Sequence, residues 1–254
     1  MSYTRLSLLN ISVDDFTLDE LLDKMNMFVF EKKKGVIAYV NIHAFNIAYR
    51  DFEFRSFLDR SEVVFCDGVG IRLGALLARK SIKNRYTSPD FIEKIAKTAE
   101  NLSWRIFFLG AKPGIAKMGA DKLKENSPRL QIEAHHGYFD KEYGSDENTN
   151  LIKRINDFRP HVLVVGFGMP LQEKWIVENF EDLDVNIFFP AGALFDYVAG
   201  HVKRAPRWMT DNGFEWLGRL LIEPRRLWKR YIVGNPLFFW RVFVHHILKV
   251  PLPY

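Results

Sequence analysis

Val63-Val64-Phe65-Cys66-Asp67-Gly68-Val69-Gly70 decides how the rest of this chain is read. Four apolar, β-favouring residues predict a buried strand. Asp67 then stands at its carboxyl end, and two glycines turn the chain into a helix through Leu73, Leu76 and Leu77. In open α/β sheets ligands bind in the crevice beyond the carboxyl ends of the strands, and glycines there let another molecule approach the backbone. Asp67 is therefore a candidate catalytic base or hydroxyl-binding group. Capping the following helix is the structural job that an aspartate does equally well at this point.

Working outward, Arg5 to Val13 reads as one strand and Leu18 to Phe30 as a helix. Val36-Ile-Ala-Tyr-Val40 is a continuous apolar run, the mark of a strand covered on both faces. It ends in Asn41-Ile42-His43-Ala44-Phe45-Asn46, and a short helix around Phe54 to Leu58 follows. Beyond the central stretch a helix reaches about Ala78. Ser88 and Pro89 then supply a cap and a first helical position for a helix to Asn101. Arg105–Leu109, Leu130–Ala134, Val162–Val165 and Val185–Phe189 are further strands. Helices reaching Asn126, from Glu147 to Phe158 and from Glu173 to Phe180 separate them. This alternation predicts an α/β fold with a mostly parallel, doubly wound, Rossmann-like sheet. The turns after the strands then open on one edge: Asn41, Asp67, Gly110, His135-His136-Gly137, Gly166-Gly168 and Gly192-Asp196. Their convergence, more than any one turn, argues for a site.

The net charge of +5 is unevenly placed. Residues 201–254 hold ten Lys and Arg against three acids, which leaves a slightly acidic body and a basic tail. Four of the six tryptophans (Trp208, Trp216, Trp228 and Trp240) lie in that tail. We therefore divide the chain into a catalytic domain, residues 1–200, and a helical, basic, aromatic-rich appendage, residues 201–254. The single cysteine, Cys66, excludes an internal disulfide framework and fits a reducing compartment. The start, Met1-Ser-Tyr-Thr-Arg-Leu, lacks a signal pattern, and no run approaches the ~18 apolar residues of a spanning helix.

Gly166-Phe-Gly168-Met-Pro-Leu171 begins like a dinucleotide fingerprint, but Leu171 stands where the third glycine belongs. Asp182-Leu183-Asp184 looks like a metal-binding pair of acids, yet it precedes its strand and reads as a solvated loop. His43, His135 and His136 lack the spacing of zinc ligands, so no metal and no cofactor is expected. Cys66 reads as core. In the tail, arginines and aromatics recur at helical spacing from Glu215 to Tyr231, which suits a membrane interface and phosphate recognition. The bulk of Pro236-Leu-Phe-Phe-Trp240 argues against nucleic acid as the partner.

Together these residues form a recognisable set. Asn41/His43/Asn46, Cys66-Asp67-Gly68-Val-Gly70, Arg85, Asp90, Phe108-Leu-Gly110, His136-Gly-Tyr-Phe139 and Gly166-Phe-Gly-Met-Pro-Leu-Gln-Glu173 occur in order. Gly192-Ala-Leu-Phe-Asp196, Lys203-Arg-Ala-Pro206 and Glu215-Trp216…Glu223-Pro-Arg225 complete it. The chain resembles the WecG/TagA/CpsF family of bacterial glycosyltransferases over nearly its whole length, closest to the GumM-like exopolysaccharide branch. The resemblance implies metal-independent, inverting transfer of a sugar from a UDP-sugar to an undecaprenyl-diphosphate-linked sugar, with Asp67 as general base. It also implies a peripheral protein on the cytoplasmic face of the inner membrane; a homo-oligomer is left open. Arg85 and the glycine turns Gly110, Gly166 and Gly168 are expected to meet the leaving diphosphate. Tyr138 and Asp196 are expected at the uracil and ribose, Gln172 and Asn41 at sugar hydroxyls, and His43 as a further substrate contact. Arg219, Arg225, Arg226 and Arg230 are expected at the lipid diphosphate. Tyr39 departs from the threonine that some members carry there. A nucleotide-dependent oxidoreductase and a non-catalytic membrane-binding module are the rival classes.

Overall fold

A computed structural model describes residues 4–202, 209 and 213–252. The strands are β1 (Thr4–Leu8), β2 (Ile11–Asp15), β3 (Gly35–Val40), β4 (Val63–Cys66), β5 (Arg105–Gly110), β6 (Gln131–His135), β7 (Val162–Gly166) and β8 (Ile187–Pro190). Between them run α1 (Leu18–Phe30), α2 (Ile42–Ala48), α3 (Phe52–Arg60), α4 (Val69–Leu77), α5 (Ser88–Leu102), α6 (Ile115–Asn126), α7 (Asp146–Phe158) and α8 (Leu171–Asn179). After β8 come α9 (Leu194–Val198), α10 (Glu215–Ile222), α11 (Pro224–Trp228) and α12 (Gly234–Val242). The sheet order is β1-β2-β4-β3-β8-β7-β5-β6. Strand β1 is antiparallel to β2, and the recorded pairings from β2 onward are parallel. The expected α/β class is what the chain adopts.

The chain divides into two compact units. The first takes the residues up to 16, residues 39–87 and the described residues from 209 on; the second takes residues 17–38 and 88–202. Strand β3 passes from the second unit into the first after Ala38. The tail helices thus group with the Asp67 region, and Lys203 to Pro206 and Trp208 lie outside the described residues.

In the first unit, the single strand expected over Arg5–Val13 is instead a hairpin. Leu9 and Asn10 turn it with φ of 50° and 59°, the doubly left-handed geometry of a tight hairpin turn. Only Asn10 favours that conformation, so the sequence signal was weak. A distant residue supports the turn: the Leu9 N–H donates to His246 Nε2 at 3.2 Å. Asp14 fastens the hairpin to the centre. Its buried carboxylate accepts from Arg5 Nε at 2.6 Å, from Arg5 Nη2 at 2.9 Å and from the Val64 N–H at 2.8 Å. Helix α2 was also unread as a helix. Asn41 caps it, Oδ1 accepting from the Ala44 N–H at 3.1 Å, while Ala44, Phe45 and Ala48 form its buried face. Tyr39 turns into the core against Phe65, ring centroids 5.9 Å apart.

The tail is built into this unit. Phe238 is fully buried, its ring edge-on to Phe45 at 5.4 Å. It lies where a Cβ on Gly74 would come within 2.6 Å of its ring. Asn46 Nδ2 donates to the Gly234 carbonyl at 2.8 Å, and Asn46 Oδ1 accepts from Arg241 Nη1 at 2.6 Å. The Arg241 guanidinium in turn lies 3.8 Å from the centre of the Tyr49 ring. Phe238→Ala should therefore lower unfolding stability by about 3–5 kcal/mol in denaturant titrations. A loss below about 1 kcal/mol would show that the tail does not belong to this core.

Candidate active site

Each unit carries its own cluster of candidate site residues. In the first, β4 delivers Asp67 and Gly68 starts α4. Gly68 has φ of 101° and occupies the N-cap position with no side-chain cap bond. The N-cap place thus falls to Gly68, and the side-chain hydrogen bond of Asp67 among the described residues goes to Asn41. Its backbone N–H donates to the Val40 carbonyl at 2.8 Å, and its Oδ2 accepts from Asn41 Nδ2 at 3.2 Å. Asn41 is therefore shared between a helix cap and this carboxylate. It holds Asp67 in place, in addition to the substrate contact expected of it.

Burial pushes the Asp67 carboxyl up to about 6. The Asn41 hydrogen bond opposes the shift, the Glu215 charge adds to it, and the guanidinium groups of Arg230 and Arg219 oppose it. The result is a carboxyl that titrates close to neutral pH, the range in which a side chain exchanges protons most effectively. Burial, with Arg230 behind it, pulls His43 down to about 4, so its imidazole is neutral and can both donate and accept. The Nε of Arg230 is shut from solvent and has no hydrogen-bond partner among the described residues. A buried guanidinium donor left open is costly, and such groups ordinarily find a partner.

Arg85 sits half-buried between two anchored neighbours. Asp15 accepts from the N–H groups of Lys83 and Asn84 at 2.8 Å each, and the Tyr86 N–H donates to the Cys66 carbonyl at 3.1 Å. The four tail arginines separate. The charges of Arg219 and Arg230 act on Asp67, whereas Arg225 and Arg226 are exposed. Arg226 pairs with Glu223 at 2.6 Å. Glu215 was missed as a site residue, although it lies four positions before Arg219 on one helical face. Cys66 is core, 1% exposed, and burial pushes its thiol up to about 12.

In the second unit the glycines close strand ends together. A Cβ on Gly110 would stand 2.4 Å from the Gly166 carbonyl oxygen, and one on Gly166 would stand 2.7 Å from that of Gly192. Gly168 has φ of 85° and open space beside it. Gln172, expected at sugar hydroxyls, is fully buried. Its Oε1 accepts from the N–H groups of Gly168 and Gly192, both at 3.1 Å, and its Nε2 donates to Glu173 Oε1 at 2.7 Å. Gln172 thus braces the turns after β7 and β8, and the Gly168 N–H, expected at the diphosphate, bonds this amide oxygen.

Tyr138 is 64% exposed on a loop whose Gly137 N–H donates to the Ala111 carbonyl at 2.9 Å. Asp196 is half-buried in the first turn of α9. Asp182 and Asp184 lie in the loop before β8, tied to Asn156 of α7 at 2.8 Å each. Among the described residues no three His, Cys, Asp or Glu side chains gather as metal ligands.

Glu173 is 2% exposed, Oε2 has no hydrogen-bond partner among the described residues, and burial pushes its carboxyl up to about 7. The native state thus holds this proton more tightly than the unfolded chain. The cost is absent at low pH and grows as pH rises through about 7. Glu173→Gln, which keeps the acceptor for Gln172, should be more stable than the parent by roughly 3 kcal/mol at pH 8. The gap should close as pH falls toward the ordinary carboxylate range. Parallel melting curves across pH would show no such convergence if Glu173 were already ionised in the native state.

Comparison with known proteins places this geometry. The model of the glycosyl transferase WecG/TagA/CpsF family matches residues 6–250. Three curated relatives are N-acetylglucosaminyldiphosphoundecaprenol N-acetyl-beta-D-mannosaminyltransferases, from Staphylococcus aureus strains NCTC 8325 / PS 47, COL and MRSA252. Each is 23% identical over 240 residues, covering 94% of this chain and 92% of the relative.

Proposed function

Because the chain belongs to the WecG/TagA/CpsF family of glycosyl transferases, we propose that it transfers a sugar from a UDP-sugar to an undecaprenyl-diphosphate-linked sugar for a cell-surface polymer, by inversion and without a metal. The observation that carries this reading is Asp67, a carboxylate held by Asn41 and raised to about 6. As the acceptor hydroxyl oxygen attacks the anomeric carbon, its proton passes to Asp67. The bond from that carbon to the diphosphate breaks, and UDP leaves with the electron pair. A single displacement of this kind inverts the anomeric centre. The neutral His43 imidazole and the remaining N–H of Asn41 are the groups available to orient the hydroxyl. Arg85 supplies positive charge for the leaving diphosphate, and Arg219 and Arg230 supply it for the lipid diphosphate. Charge-assisted bonds of this type are about twice as strong as neutral ones, and the open Nε of Arg230 gives one a donor. Tyr138 and Asp196 are assigned to the uracil and ribose, and the exopolysaccharide branch remains our proposal for the product class.

Asp67→Asn keeps the hydrogen bond to Asn41 but cannot take a proton. Turnover should fall by about 10²–10⁴ with UDP binding retained, and the parent's acid limb should lie near pH 6. Near-normal turnover in this variant would remove Asp67 from the mechanism.

We place the protein peripherally at the cytoplasmic face of the membrane. Among the described residues no helix is long and apolar enough to cross one. The tail nevertheless exposes Leu221, Ile222, Trp228, Ile232, Val233 and Trp240 beside Arg225, Arg226 and Lys229. Basic side chains near an anionic surface contribute about 1 kcal/mol each. Changing Arg225 and Arg226 together to Ala removes about 2 kcal/mol and should weaken binding to anionic liposomes roughly thirtyfold, less so at high salt. Unchanged sedimentation with liposomes would separate this tail from the membrane.

A further inference from the structure

Lys141 lies two residues beyond the His136–Phe139 motif. Its ammonium donates to the Gly137 carbonyl and, at 3.2 Å, to the Phe139 carbonyl. It also stands over two aromatic rings, 4.5 Å from the centre of Phe139 and 4.8 Å from that of Phe167. Phe139 belongs to the loop that carries Tyr138. Phe167 belongs to the turn between Gly166 and Gly168.

The floor of this cage is rigid. Phe139 and Phe167 meet edge-on at 5.8 Å, and both pack edge-on to Trp175, which is 1% exposed. Trp175 is pinned in turn: its Nε1 donates to Asn148 Oδ1, Asn148 Nδ2 to Asn179 Oδ1, and Asn179 Nδ2 to the Trp175 carbonyl, each at 2.8 Å. A Cβ on Gly137 would stand 2.9 Å from the Phe167 ring and 3.1 Å from Gly110 Cα. The loop is therefore pressed against the glycine turns, and among the described residues the cation that bonds its carbonyls is Lys141. An ammonium shared between two carbonyls and two ring faces is a fastener: each contact is modest, and together they fix one loop conformation.

We propose that Lys141 is a positioning residue for nucleotide binding, fastening the 136–140 loop to the Phe167 turn so that the exposed Tyr138 ring is held ready for the base. This rests on the assignment of Tyr138 to the uracil. Lys141 is not a contact for the diphosphate: its effect runs through Tyr138.

The test uses the full chain with Lys141→Met, which keeps the stem and removes the donors and the charge. Amide exchange of residues 137–140 should quicken by ~10-fold or more, with the Trp175 and Asn148 helices unchanged. Affinity for uridine and for UDP should fall by the same factor, ~10-fold, and the KM for the UDP-sugar should rise likewise with kcat nearly constant. In a Tyr138→Ala background, Lys141→Met should bring no further loss, since coupled residues are non-additive. Unchanged exchange, loss of UDP affinity without loss of uridine affinity, or full additivity with Tyr138→Ala would each overturn the proposal. Tyr138→Ala alone tests the assignment beneath it. If that variant binds uridine normally, assignment and inference fall together. If it loses uridine while Lys141→Met does not, the inference alone falls.

Discussion

Phe238 occupies the space that any side chain at Gly74 would need, and the chemistry of the first unit follows from that seat. With Phe238 and Val242 buried, and Leu227 and Tyr231 nearly so, the tail gains about 1.5–3 kcal/mol for each large apolar side chain removed from water. An unsatisfied donor such as Arg230 Nε costs about 1–3 kcal/mol. Packing outweighs that cost, so the fold can hold an Arg230 Nε that has no hydrogen-bond partner among the described residues, with the guanidinium charge acting on Asp67 and His43. Without the seated tail, Asp67 would lose Glu215, Arg219 and Arg230 as electrostatic neighbours.

The second unit handles its polar burial differently. One amide oxygen, Gln172 Oε1, takes both turn N–H groups, and its nitrogen can face only an acceptor, which Glu173 provides. The orientation of the amide is therefore dictated: a reversed Gln172 would present two hydrogens to two N–H donors. Glu173 in turn is tolerable there mainly as a neutral acid, because its second oxygen has no hydrogen-bond partner among the described residues.

The parallel sheet was legible because its strands are short apolar runs closed by glycine or polar turns, and α1 was legible to the residue because Leu18, Leu21, Met25 and Phe28 recur at helical period. The hairpin at Leu9-Asn10 was not, since its support comes from His246 at the other end of the chain. Asp67 could be picked out by its place after a buried strand. Its partnership with Asn41 could not, because a cap and a carboxylate clamp look alike in one letter. The bracing bonds of Gln172 were illegible for a related reason: glycines that press strand ends together and glycines that leave room for a ligand have the same sequence. The tail arginines were read as one group, yet Lys229–Val233 forms a wider π turn, which shifts the helical register between Arg225 and Arg230.

Cys66 is the chain's sole thiol. Enclosed in the core and held protonated far above neutral pH, it offers alkylating reagents and oxidants almost no thiolate. Two cysteines introduced elsewhere, one in each unit, would thus be the only reactive sulfurs, and a pair of labels on them could report distances without first altering the native residue next to Asp67.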